Sequence, residues 1–170
     1  MRIIRKIYCR TFQTVFRAAL PFLPYRNPRI VPSVAGIPDV CRRNKVRSVM
    51  IVTDSGIRTL GLTGFLEKTL EEAGISFCIY DRTVANPTIW NVEEARELYL
   101  EQGAEAIIAF GGGSSMDCAK GAGARIVKPR QSIRRMKGLL KVHKRLPLLI
   151  AVPTTAGTGS ETTLAAVITD

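Results

Sequence analysis

The sequence predicts an α/β fold, a parallel β-sheet with helices on both faces. Three observations carry that expectation. From Lys45 onward, short apolar β-branched runs alternate with helix-spaced stretches, the order that gives crossovers and a parallel sheet. The strand candidates read as continuous apolar runs, which suits strands buried on both sides. Two of the helical stretches stop at a glycine, Gly74 and Gly103, as helices commonly do. The 170 residues, 46% hydrophobic and 23% charged, fit one globular domain and argue against disorder. No run reaches the ~20 apolar residues of a membrane-spanning helix.

The elements follow in order. Ile3, Ile4, Ile7, Tyr8, Phe12, Val15, Phe16 and Ala19 share one face of a helix over the first twenty residues, with Arg2, Arg5, Lys6, Arg10, Gln13 and Arg17 opposite. An acid-free, Arg-rich start suits a presequence or a membrane-surface helix, but a helix docked on the fold or on a partner subunit is favoured. Pro21, Pro24, Pro28 and Pro32 mark an extended connector, so residues 1–44 are set apart from a domain at 45–170. Strands are expected at Ser48–Thr53, Ile75–Tyr80, Ala106–Phe110 and Leu148–Val152. Helices are expected at Leu62–Ala73, at Val92–Gln102 and from about Met116.

The net charge of +11 is unevenly laid out: residues 1–47 hold eleven Lys/Arg against Asp39 alone, residues 58–117 carry four basic and ten acidic groups, and residues 118–160 carry ten basic and no acidic ones. Aromatics do not interleave with the basic runs, which argues against nucleic acid as a partner. Cys9, Cys41, Cys78 and Cys118 form no CxxC pair and lie near no histidine at zinc spacing. Free thiols in a reducing compartment are expected, with Cys118 a small buried hydrophobe rather than a thiolate at a helix N-terminus.

Ligands of open α/β sheets collect at the carboxyl ends of the strands, and three such ends stand out. Asp54 closes the first strand. Gly111-Gly-Gly-Ser-Ser-Met-Asp117 joins the third strand to a helix, where main chain without Cβ can take positive φ and bring its N–H groups to a phosphate at the positive helix end. Ser114 adds a hydroxyl; Asp117 suits an N-terminal turn, so capping is its plain role. A tight turn without a ligand remains open. The run is neither a Walker A sequence nor G-x-G-x-x-G, and residues 128–137 lack the acid the classical dinucleotide fingerprint requires. The third end, Pro153-Thr-Thr-Ala-Gly-Thr-Gly-Ser-Glu161, gathers hydroxyls and bare main chain suited to ribose, phosphate or an amide-bearing ring, or forms a plain turn.

Taken together, Ala109–Lys120 and Ala151–Thr163 resemble the iron-containing (group III, metal-dependent) alcohol dehydrogenase family, with its pattern GGGS-x-x-D-x-x-K followed by PTTAGTGSE-x-T. Val52-Thr-Asp54, Gly61-Leu62 and Asn86-Pro-Thr88 match upstream, so the resemblance covers roughly residues 45–170. It implies a Rossmann-like, dehydroquinate synthase-like sheet that binds a nicotinamide dinucleotide. Asp54 would meet the adenosine ribose hydroxyls; its charge repels a 2′-phosphate and favours NAD over NADP. Asn86 would lie beside the adenosine half. Gly112, Gly113, Ser114 and Asp117 would hold the pyrophosphate region. Thr154, Thr155, Thr158 and Thr163 would line the adenine and nicotinamide-ribose side, and Lys120 would be structural.

The family also implies Fe2+ or Zn2+ held by one Asp and three His in a helical second domain, where the metal polarises the alcohol oxygen. His143 is the only histidine here, so no catalytic or metal-binding residue is expected in this chain. The chain is expected to be the cofactor half of a longer enzyme, or a truncated product, inactive alone. The implied partners are a small alcohol or aldehyde and further copies of the full-length chain, in the cytoplasm, without nucleic acid or stable membrane insertion. The rival readings are a glycerol dehydrogenase or dehydroquinate synthase, which share the fold, and a basic module binding nucleic acid or an anionic membrane surface.

Overall fold

In the computed structural model, residues 10, 11, 13–15, 17, 18, 29–138, 141–163 and 165–170 are described. Four parallel strands, β1 (Ser48–Val52), β2 (Ser76–Tyr80), β3 (Ala106–Gly111) and β4 (Leu148–Pro153), lie in the order β2-β1-β3-β4. The chain leaves β1 toward β2 on one side and later returns to β3 on the other. That reversal puts the topological switch between β1 and β3, where such sheets open a crevice at their carboxyl edge.

Strand residues alternate between two apolar layers. Val49, Ile51, Ile108, Phe110 and Ile150 face one layer, packed with Ile37 and Cys41 of α1 (Ile37–Arg43), Ile57 of α2 (Ser55–Thr59), and Leu66 and Leu70 of α3 (Gly64–Glu72). Met50, Val52, Tyr80, Ile107 and Ala109 face the other, against α4 (Ile89–Glu101) and α5 (Gly113–Val127). Every residue of β3 is buried, as a strand sandwiched between two helical layers requires.

The strands agree with their expected positions to within a residue at each end. Three other expectations are corrected, and one element is added. The compact unit begins at Val31 rather than at residue 45, because Ile37 and Cys41, 2% and 0% exposed, belong to the core. A short helix, α2, follows Asp54, whose carboxylate Oδ1 caps it by accepting the Ile57 N–H at 3.0 Å. The α4 helix starts at Ile89 rather than Val92, set by a capping box between Thr88 and Asn91. The α5 helix starts at Gly113 rather than near Met116, since the first turn needs no intrahelical donor partners and tolerates glycine and serine.

At the N-terminus, Arg10, Thr11, Gln13, Thr14, Val15, Arg17 and Ala18 are helical, Thr14 donating its hydroxyl to the Arg10 carbonyl at 2.9 Å. The rest of the expected apolar face, from Ile3 to Tyr8 with Phe12, Phe16 and Ala19, falls outside the described residues, as do Pro21, Pro24, Pro28 and Cys9. Among the described residues no helix is long and apolar enough to cross a membrane.

Two apolar side chains test this layering. Ile108 is fully buried at the centre of β3, whereas Phe65 on α3 is 62% exposed. Ile108→Ala is expected to lower urea-unfolding stability by about 2–5 kcal/mol, and Phe65→Ala by less than about 0.5 kcal/mol. Equal losses would contradict the assignment of faces.

Candidate functional site

The site begins with strand register. Parallel pairing of β3 with β4 runs out to Gly111 opposite Pro153, and the Thr154 N–H closes it on the Gly111 carbonyl at 3.0 Å. The glycine-rich and threonine-rich loops therefore leave the sheet side by side. Gly111 has φ +147°, a region side chains disfavour, and a Cβ there would lie 2.5 Å from Ser115 Oγ. A Cβ on Gly113 would stand 3.0 Å from Ser160 Oγ and 3.6 Å from Thr158 Cβ. The bare main chain thus lets residues 154–160 lie directly against the start of α5.

Gly112 is the N-cap of α5 and offers no side chain to the first-turn amides. Those N–H groups have no intrahelical acceptor and carry the positive end of a fifteen-residue helix. Ser114 sits among them, its Oγ accepting the Asn86 N–H at 3.3 Å. Thr155 and Thr158 lie next to Gly112 and Gly113 of this turn, and Thr154, Thr155, Thr158 and Thr163 are exposed. Asp54 stands at the end of β1, the strand next to β3. The structure therefore brings the two loops together, ties Asn86 to Ser114, and sets Asp54 at the neighbouring strand end.

Asp117 requires correction as a cap. It lies in the second turn of α5, and no acid occupies the first. Its Oδ2 accepts the Val167 N–H at 3.0 Å, and its Oδ1 is 3.8 Å from Lys120 Nζ. Lys120 in turn donates to the Ser160 carbonyl at 2.5 Å, Thr163 Oγ1 at 2.8 Å and the Ala165 carbonyl at 3.1 Å. One face of α5 therefore fastens the chain from Ser160 to Val167 through an i, i+3 acid–base pair. Burial pulls the Lys120 ammonium below the usual lysine range, while Asp117 and Glu161 draw it back up. Thr163 serves the same fastening, its hydroxyl bonded to Lys120 and to the Ser160 and Ala165 carbonyls.

Cys118 is fully buried, and loss of hydration pushes its thiol up to about 12, so it packs as an apolar group. Cys41, Cys78 and Cys118 are free. Sequence reasoning passed over Thr53, Thr83 and Ser115, which are 0%, 5% and 1% exposed at the same sheet edge. Among the described residues the Thr53 and Ser115 hydroxyls have no hydrogen-bond partner, while the Thr83 hydroxyl meets the Cys118 thiol; the only available signal was hydroxyl residues recurring where strands end.

A model of the iron-containing alcohol dehydrogenase family matches residues 31–170. The chain belongs to that family. It is 42% identical over 125 residues to a methanol:N,N-dimethyl-4-nitrosoaniline oxidoreductase of a Mycobacterium species, covering 73% of this chain and 29% of that protein. It is 35% identical over 139 residues to the lactaldehyde reductase of Escherichia coli K12, covering 81% and 36%. A sulfoacetaldehyde reductase from Bifidobacterium kashiwanohense, solved in complex with NAD+, superposes with a TM-score of 0.71 at 27% identity, covering 83% of this chain and 38% of that one. The chain thus spans about a third of the length of these relatives.

The residues present do not fit the iron in the family's name. Among the described residues no group of three or more His, Cys, Asp or Glu side chains could hold a metal ion, and His143 is exposed in the basic loop. They do fit a dinucleotide: a glycine turn on which a Cβ would crowd the neighbouring loop, uncapped amides beside it, and a carboxylate at the adjacent strand end.

Lys120→Met removes the fastening while keeping the stem of the side chain. We expect a loss of about 1–2 kcal/mol in urea unfolding and first cleavage by a nonspecific protease within residues 154–163. An unchanged cleavage pattern would contradict the role given to Lys120.

Proposed function

We propose that this chain is the dinucleotide-binding part of a metal-dependent alcohol dehydrogenase that moves hydride between a small alcohol or aldehyde and NAD, with NADP the weaker cofactor. The observation that carries the reading is the junction of the two loops at Gly111 and Pro153, beside the uncapped start of α5. The first-turn amides and Ser114 would hold the pyrophosphate, since oriented N–H groups at a helix N-terminus suit an anion. Asn86, bonded to Ser114, would lie beside the adenosine half. Thr154, Thr155 and Thr158 would offer hydroxyls to the ribose and ring groups across the loop. Lys120 and Asp117 would keep that loop in place rather than touch the cofactor. When bound, the nicotinamide supplies hydride transfer; the described residues supply its binding and orientation. Free cysteines and the family's small-molecule chemistry support a cytoplasmic enzyme, and further copies of the full-length chain remain the proposed partners.

Asp54 separates NAD from NADP. An asparagine at this position would cap α2 as well as aspartate does while removing the negative charge that faces a 2′-phosphate. Calorimetric titration of Asp54→Asn should therefore strengthen NADP binding by about tenfold relative to NAD, with the melting temperature unchanged. A wild-type chain that binds neither cofactor, or an unchanged NADP-to-NAD ratio, would contradict the proposal.

A further inference from the structure

Asn91 is 6% exposed, and every polar position of its side-chain amide is in use. Oδ1 accepts the Thr88 N–H and the Thr88 hydroxyl, each at 3.0 Å. Nδ2 donates to the Arg82 carbonyl at 2.9 Å and to the Tyr80 hydroxyl at 3.1 Å. The Oδ1 bonds complete the cap of α4. The Nδ2 bonds do nothing for the helix; they reach back across the loop to its entrance. One turn further along α4, Glu94 accepts the Tyr80 O–H at 2.8 Å and pairs with Arg82 at 3.4 Å. Arg82 lies over the Tyr80 ring at 5.5 Å. Burial raises the Tyr80 phenol far above its ordinary range, so it remains a neutral donor to Glu94.

Both ends of the loop from Arg82 to Thr88 therefore meet on one buried amide, which is itself anchored to the end of β2. The loop between carries Asn86, which takes φ +56° before Pro87 and donates its N–H to Ser114 in the first turn of α5. Ile89 and Thr169 extend the same exit, Ile89 N–H donating to the Thr169 carbonyl at 2.9 Å.

We infer that Asn91 is a positioning residue for ligand binding at the start of α5: by tying Arg82 to Thr88 it sets where Asn86 meets Ser114, and so tunes affinity for the adenosine half of the ligand. This rests on the cofactor reading proposed above.

Asn91→Asp tests it. The substitution keeps an oxygen for Thr88 but turns an oxygen toward the Arg82 carbonyl where a donor stood, so the entrance is released and the exit kept. Amide exchange followed by NMR should be about tenfold faster at Asn86, with the β3 amides unchanged. Adenosine diphosphate should bind about tenfold more weakly, while nicotinamide mononucleotide binding changes by less than about twofold; a general loss of stability would weaken both alike. Unchanged Asn86 exchange, or equal losses for the two ligands, overturns the inference. If Asn91→Asp does not fold, Asn91→Ala, which removes the side-chain bonds to both Arg82 and Thr88 without adding a buried charge, should shift both readouts in the same direction, and no shift in either overturns the inference. Wild-type protein that binds neither nucleotide overturns the cofactor reading and the affinity part of this inference, while the Asn86 exchange rate still decides whether Asn91 holds the loop.

Discussion

The register of β3 against β4 is the constraint that positions the candidate site. Because the pairing runs unbroken from Ala106 opposite Leu148 to Gly111 opposite Pro153, two loops well separated in sequence emerge at the same height on the same edge. A slip of one residue would turn the buried side chains of β3 to the opposite layer, and both layers are closely packed. The core thus fixes the position of the site. The Thr154 N–H on the Gly111 carbonyl is the last rung of the ladder and the first bond of the site.

Above that rung, the two loops are held by different means. The glycine turn is held by its own conformation, with Gly111 in a region that side chains rarely adopt and Gly113 giving room to Ser160. The threonine-rich loop is held from below by Lys120, whose ammonium satisfies two carbonyls and a hydroxyl. A cation used in this way costs hydration, which its lowered basicity reflects. What it gives is a fixed loop beside a helix start whose amides stay uncommitted. The same device recurs on the other flank, where one buried asparagine gathers both ends of the loop that carries Asn86.

Much of the sheet was legible in the sequence because a parallel sheet buried on both faces leaves a plain trace: apolar, β-branched runs such as Ser48–Val52 and Ala106–Gly111 separated by helices that end at Gly74 and Gly103. The two loops were legible as motifs because glycine and threonine are concentrated where strands end. What was not legible depends on distant partners. Nothing near Asp117 signals that its carboxylate will take the N–H of Val167, fifty residues on. The helix after Asp54 is too short to show periodicity, and only its cap reveals it. Asn91 reads locally as a helix-cap partner, while its second pair of bonds, to Tyr80 and Arg82, exists only once β2 and α4 have packed. The start of α5 lies three residues ahead of its expected place because glycine and serine depress helix propensity, which the uncapped first turn tolerates.

If the two loops form a single cradle at the start of α5, amide chemical shifts recorded during an NAD titration will reveal it. The resonances of Gly112 to Ser115 and of Thr154 to Thr158 are expected to move together along one binding isotherm, with the largest shifts at the first turn of α5. Shifts confined to the basic loop between residues 128 and 147, or separate isotherms for the two loops, would contradict a shared cradle.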